Sequence, residues 1–204
     1  MQNDELNPQY FERQRTGRLI LLSMLIFFIA PIVTVLAMYK YDWRPTGVSI
    51  GELIVPAHLI SMDAAIQQND GTSVNHEVWK DKWSMVYVSE ACEDVCQRKL
   101  HDMRQLHVSL YKDILRMQRV LITTSTEVSQ LKKDYPDMLI LNQPMQSVVD
   151  LMQQFEVNHQ PASHSNSIYL VDPLGHAMMR YAPNVEAKLV RKDIIRLMKY
   201  SWAG

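Results

Sequence analysis

The chain has 204 residues, 47% of them hydrophobic, and its 21 Lys and Arg against 22 Asp and Glu leave a net charge of −1. This length predicts one globular domain plus extras, with apolar residues enough for a core that needs no disulfide to survive. Without a basic bias there is no electrostatic case for a nucleic-acid partner, and no long acidic run marks a solvating tail.

The first element is "LILLSMLIFFIAPIVTVLAM", Leu19 to Met38, which contains no charged residue. As a helix it spans about 30 Å, the thickness of a bilayer's hydrocarbon core. Pro31 is tolerable inside such a helix. The run is longer than a signal-peptide core and no small-x-small cleavage site follows it, so it reads as a retained anchor in the lipid bilayer. Arg13, Arg15 and Arg18 precede it, and Lys40 and Arg44 follow. That bias puts the amino terminus in the cytoplasm, with Tyr39, Tyr41 and Trp43 as an aromatic belt on the far side. The expected organisation is a cytoplasmic segment 1–18, a transmembrane helix 19–39, a linker 40–50 and a soluble domain 51–204. The domain would face the periplasm from the inner (cytoplasmic) membrane.

Within the domain, residues 42–56 read as a linker and lead-in, and "AHLISMDAA" as a short extended piece. Gln67 to Ser73 reads as a turn with Asp70-Gly71 at its tip, inside a hairpin. "SMVYVS", Ser84 to Ser89, is short, apolar and β-rich, as a buried central strand is. From Cys96 to about Gln118, apolar residues recur at three and four (Leu100, Met103, Leu106, Leu110, Ile114, Met117), which predicts one helix. "VLITTS" is a second strand, Val128 to Tyr135 a short helix, "MLILN" a third strand and Val148 to Phe155 another helix. "SIYLVDPLGHAMMRY" reads as strand, turn and strand, where only one of Met178 and Met179 can face inward. Val185 to Tyr200 is a final amphipathic helix. The 13 methionines read as core and membrane filling, since no Met-x-Met or Met-x-x-Met repeat occurs.

Strands and helices that alternate predict right-handed crossovers, and the late hairpin adds antiparallel strands. With cysteines where the first core strand meets its helix, this is the thioredoxin plan: an α/β three-layer sandwich around a central mixed sheet.

The only two cysteines are Cys92 and Cys96, in "ACEDVC". At i and i+4 near a helix start they share a face, with Cα atoms about 6 Å apart. A disulfide and joint capture of one metal ion are both open to them. A helix amino terminus favours thiolate, and Glu93 and Asp94 push the other way. A purely structural disulfide would close a very short loop and stabilise little. Two thiolates suit Cu(I), or Cu(II) and Zn(II) once imidazole is added. Of the seven histidines, His101 and His107 are expected to face solvent. His58 and His76 sit in the lead-in, and His176 follows the late turn. His159 and His164 occupy the polar loop "NHQPASHSN", which in this fold runs beside the cysteine turn.

Three features resemble the Sco/SenC family of cytochrome oxidase assembly proteins: the strand ending in Cys-x-x-x-Cys, "VYVSEACEDVC"; His164 five residues ahead of "YLVDPLG"; and the single amino-terminal anchor. The resemblance spans roughly residues 50 to 200. It implies copper bound by Cys92, Cys96 and His164. It further implies a partner in the cytochrome c oxidase subunit that carries the dinuclear copper site, which would receive copper or have its cysteines reduced. Departures are also present: Glu93 and Gln97 stand where the family usually has proline after each cysteine, and "ITTSTEVS" replaces an Asp-Pro rich segment. Two other readings stay open. One is a metal-free thiol–disulfide reductase or redox sensor, with Cys92 and Cys96 as its catalytic pair and a thiol–disulfide partner. The other is a non-catalytic membrane-tethered scaffold.

Overall fold

The computed structural model describes residues 8–41, 49–62, 66–68 and 71–201. Residues 1–7, most of the predicted linker with Trp43 and Arg44, Asp70 at the predicted turn tip, residues 63–65 and the terminal 202–204 lie outside them. The chain divides into two compact units, residues 1–48 and 49–204.

The first unit is one helix, α1 (Pro8–Lys40). Its part from Gly17 to Lys40 is long and apolar enough to cross a membrane, and its large apolar side chains from Leu19 to Leu36 are exposed. Polar hydroxyls inside this stretch are satisfied by the helix itself. Ser23 Oγ donates to the Ile20 carbonyl at 2.8 Å and Thr34 Oγ1 to the Ala30 carbonyl at 2.7 Å, as an apolar surrounding requires.

The second unit is built on strands β1 (Glu52–Leu59), β2 (Ile66–Gln68), β3 (Ser73–Val74), β4 (Trp83–Ser89), β5 (Met117–Thr123), β6 (Leu139–Gln143), β7 (Ile168–Val171) and β8 (His176–Tyr181). They form one sheet in the order β1-β8-β7-β4-β5-β6-β2-β3. β4, β5 and β6 run parallel, and the remaining pairings are antiparallel. Helices α2 (Asp94–Val108), α3 (Ser129–Asp134), α4 (Met145–Gln153), α5 (Ala162–Ser165) and α6 (Ala187–Tyr200) supply the crossovers and the end of the chain. Every residue of β4 is buried, because the strand is central and covered on both faces. Met85 and Tyr87 join the core formed with Leu100, Met103, Ile194 and Met198 of α2 and α6. Val86 and Val88 join the opposite core with Val148, Leu151 and Phe155. This is the expected thioredoxin-like three-layer sandwich.

The hairpin across residues 67–73 is present as β2 and β3, and Met179 is buried while Met178 is only partly so. The long helix predicted to Gln118 is a correction. α2 stops at Val108, a 3₁₀ turn covers Tyr111–Arg116, and Met117 already belongs to β5. The helical spacing continued through Leu110 because it too is buried, but Tyr111 takes φ +50° and breaks the backbone. His107, expected in solvent, closes this break instead. Its Nε2 lies 2.8 Å from the Met117 carbonyl and 3.1 Å from that of Ile114. β1 starts earlier than the extended piece read at Ala57, and α4 starts at Met145, three residues before the predicted Val148.

Candidate functional site

The turn between β4 and α2 carries the cysteines. Ser89 Oγ donates to the Ala91 carbonyl at 2.7 Å. The Glu90 carbonyl accepts from Thr123 Oγ1 and Thr124 Oγ1, both at 3.1 Å, which fastens the turn to the end of β5. Cys92 precedes the helix cap Glu93, and Cys96 sits in the first turn of α2. The two form a disulfide with a Cα–Cα separation of 4.9 Å. This is shorter than the spacing expected of two helical positions, because Cys92 lies on the incoming turn and not on the helix. Cys96 is 2% exposed and packs in the core, while Cys92 is only partly covered. The pair therefore has one approachable and one shielded sulfur.

Charge around the pair is mixed. Glu93 gives α2 no side-chain cap, so the first-turn amides keep their positive field at the sulfur end. Glu90, Glu93 and Asp94 are exposed around the same turn and oppose it.

The polar loop before β7 is partly ordered as α5, a turn missed in the sequence. It is clamped to the cysteine-bearing strand at two points. Ser163 Oγ donates to Glu90 Oε1 at 2.9 Å, and Tyr87 Oη donates to Asn166 Oδ1 at 3.0 Å. Burial pushes the Tyr87 phenol above its ordinary range, so it stays a donor. Asn166 takes φ +50°, a conformation asparagine tolerates better than most residues. His164 Nε2 lies 3.6 Å from Glu90 Oε1, with its side chain 69% exposed. The structure thus brings His164 beside the residue two positions ahead of Cys92. Among the described residues no group of three His, Cys, Asp or Glu side chains is arranged to hold a metal ion; Cys92 and Cys96 are bonded to each other.

Reduction changes the donor set. Two thiolates on this turn, with an exposed imidazole on α5, have the soft chemistry that suits Cu(I). Other histidines are engaged elsewhere: His58 Nε2 lies 2.5 Å from the Gln154 carbonyl, and His176 pairs with Asp172 at 3.2 Å. Asp172 is a turn residue, accepting from the amides of Leu174 and His176 at 2.9 and 2.8 Å. Glu90, Ser163 and Asn166 went unnoticed in the sequence. Glu90 lay inside the quoted cysteine motif, and the Asn between two serines was the signal for a left-handed turn. Beside Glu90 opens a cleft of about 510 Å³, with Met145, Val149, Met152 and Pro161 in its wall.

The family model for the transmembrane-like, thioredoxin-like, C-terminal domain matches residues 83–201. No curated protein matches the chain by sequence. Among solved structures, yeast Sco1 with copper bound is similar at 19% identity and a TM-score of 0.58, over 78% of this chain and 96% of that one. Arabidopsis thaliana ScoI with copper bound gives 15% identity and 0.57, over 75% and 100%. BsSco, a member of the Sco family of cytochrome c oxidase assembly proteins in which a disulfide switch was identified, gives 17% and 0.52, over 72% and 96%. At these identities the likeness is one of fold.

Proposed function

Because the chain belongs to the family of transmembrane-like, thioredoxin-like C-terminal domains, we propose that it is a membrane-anchored thiol and copper protein serving the assembly of a cytochrome c oxidase. The observation that carries this reading is the Cys92–Cys96 disulfide at the β4–α2 turn, in a fold shared with copper-bound Sco proteins. α1 is the anchor, with residues 1–18 cytoplasmic, 19–39 in the bilayer, 40–50 a linker and 51–204 in the periplasm.

In this reading a two-electron donor first reduces the disulfide to two thiols. As thiolates they take Cu(I) as cargo, and His164 adds its imidazole. The same dithiol can instead reduce the cysteines of the oxidase's dinuclear copper site. The Cys92 thiolate attacks one sulfur of the target disulfide, and the other target sulfur leaves as a thiolate. Cys96 then displaces the mixed disulfide. The Cys92–Cys96 bond is restored and both target cysteines leave reduced, carrying two electrons and two protons. The partly covered position of Cys92 and the buried one of Cys96 support these roles of attacking and resolving thiol.

A second reading, a metal-free thiol–disulfide reductase, is favoured by one observation: the pair is closed as a disulfide with one sulfur partly covered and the other shielded. Anaerobic Cu(I) loading of the reduced protein separates the two. The first reading expects about one copper per chain, lost in Cys92→Ser and weakened in His164→Ala. No copper in the wild type, with a reversible dithiol–disulfide potential, would replace it with the second.

A further inference from the structure

Charge in this near-neutral chain is segregated. On α6, Lys188, Lys192, Arg196 and Lys199 are all exposed. Their spacing of four, four and three confines them to one stripe about 80° wide. The one carboxylate within that helix, Asp193, is 4% exposed and turned into the core. The stripe adjoins the 3₁₀ turn after α2. Arg191 Nε donates to the Ser109 carbonyl at 2.8 Å, and its guanidinium lies 5.9 Å from the centre of the Tyr111 ring. Arg116 Nη2 donates to the Met198 carbonyl at 3.1 Å. These contacts pack the turn against the flank of α6 beside the stripe.

That surface is also apolar where it is most exposed. Val108, Tyr111 and Leu115 are 58%, 76% and 81% exposed, and Tyr200 at the end of α6 is 77% exposed. Lys112 is exposed beside them, and the nearby Asp113 is paired with Arg116 at 3.4 Å.

We propose that this basic and aromatic face of the soluble domain docks on an anionic phospholipid bilayer. Lysine and arginine heads meet lipid phosphates, tyrosines sit at the headgroup level, and Leu115 and Val108 enter the boundary with the acyl chains. Charge complementarity selects this occupant, together with exposed aliphatic and aromatic side chains that a purely ionic contact does not use. The inference rests on the anchored reading only in that the anchor keeps the domain near a bilayer. It has a consequence for the cysteines. Cys96 lies in the first turn of α2 and Val108 is its last residue, so about 20 Å of helix separates the pair from the docking face. A docked domain therefore keeps its disulfide about 20 Å from Val108 along α2.

Both cores of the domain are made of residues between Ile54 and Met198, so residues 49–204 carry their own core and serve for the test. Flotation would use vesicles of phosphatidylcholine alone, and the same with about one third phosphatidylglycerol. The expected result is binding to the anionic vesicles only, weakened by salt. Lys188→Glu, Lys192→Glu and Lys199→Glu together should lower the partition coefficient by at least about a hundredfold. Tyr111→Ser with Leu115→Ser should lower it with the charge intact. Circular dichroism must show each variant folded. Equal binding to both vesicles, no binding to either, or binding unchanged by the triple variant would overturn the proposal, as would retention on an immobilised acidic polypeptide without any on lipid. Copper loading and thiol exchange are measured separately on the same variants, so failure here leaves the thiol reading standing.

Discussion

Asp193 offers the most direct test of how the domain is held together. This buried α6 carboxylate accepts from Ser49 Oγ at 2.7 Å, from Tyr181 Oη at 3.2 Å and, more weakly, from the Gly51 amide at 3.4 Å. Among the described residues no cation forms an ion pair with it. It therefore ties the lead-in, β8 and α6 together by hydrogen bonds alone. The lead-in passes so close that a Cβ on Gly51 would overlap Met179 and lie 2.8 Å from Tyr181 Cε1. In Asp193→Ala, Tyr181 loses its acceptor inside the core, while Ser49, half-buried, can turn to water. A lost bond to a charged acceptor costs about 1.5–3 kcal/mol, and release of the desolvated carboxylate offsets part of it, leaving about 2 kcal/mol. For a domain of this size that is a Tm lower by about 4–8 °C. Asp193→Asn keeps one oxygen as acceptor and should lose about half as much. Thermal and urea unfolding of residues 49–204, followed by circular dichroism, reads both. Refutation would be Asp193→Ala within about 0.5 kcal/mol of wild type, or Asp193→Asn less stable than Asp193→Ala.

Burial pushes the phenols of Tyr87, Tyr169 and Tyr181 upward, and for Tyr181 the adjacent Asp193 charge adds to the effect. The folded state then holds protons that the unfolded chain releases above about pH 10, so stability should be flat below that pH and fall above it, by up to about 1.4 kcal/mol per pH unit for each such group; urea midpoints across alkaline pH check this, and Tyr181→Phe should flatten the slope. Arg119, 1% exposed, bonds Asp137 through Nη2 and lies 5.7 Å from the centre of the Tyr135 ring, while its Nε and Nη1 have no hydrogen-bond partner among the described residues. Asp137 is more than half exposed and can be hydrated alone, so Arg119→Met should be neutral or stabilising by about 1 kcal/mol; a loss above about 2 kcal/mol would show that the arginine is better satisfied than its contacts indicate. In the reduced protein, iodoacetamide should label Cys92 before Cys96 by at least about tenfold, read by peptide mass, because only the first is approachable; labelling in the reverse order would exchange the attacking and resolving roles.

Much of this fold was legible because the period of burial changes cleanly along the chain. "SMVYVS" and "MLILN" are short and mostly apolar, as a strand covered on both faces is. Legibility failed where burial and backbone parted. Leu110 and Met117 are buried and kept a helical spacing alive across Tyr111, whose positive φ ends the helix without any glycine or proline to mark it. The candidate site divides the same way. Cys92 and Cys96 were visible as the sole cysteines at a strand-to-helix junction. Their neighbour Glu90 was not singled out, because its partner Ser163 is 73 residues away and no local pattern encodes a contact made by tertiary folding. His164 was found through its spacing to "YLVDPLG", and the structure adds that its approach to the cysteine turn runs through Glu90.

The carboxylates around the cysteines bear on which direction the pair drives. The unspent amides of the α2 terminus stabilise a thiolate, and with it the reduced form. Glu90, Glu93 and Asp94 destabilise that anion at the same turn, making the dithiol a stronger reductant and the disulfide harder to reduce. Under the proposed function, a dithiol that reduces the cysteines of a copper centre benefits from that bias, and the same negative field draws Cu(I). The perturbation that isolates it is Glu93→Gln with Asp94→Asn, which keeps size and removes two charges. The reduction potential should then rise by about 10–30 mV and the alkylation rate of Cys92 at neutral pH should increase, since more thiolate is present. Both are read on one sample equilibrated against glutathione or dithiothreitol buffers. A potential that stays put or falls would mean that solvent screens the carboxylates, leaving the helix terminus to set the chemistry of the pair.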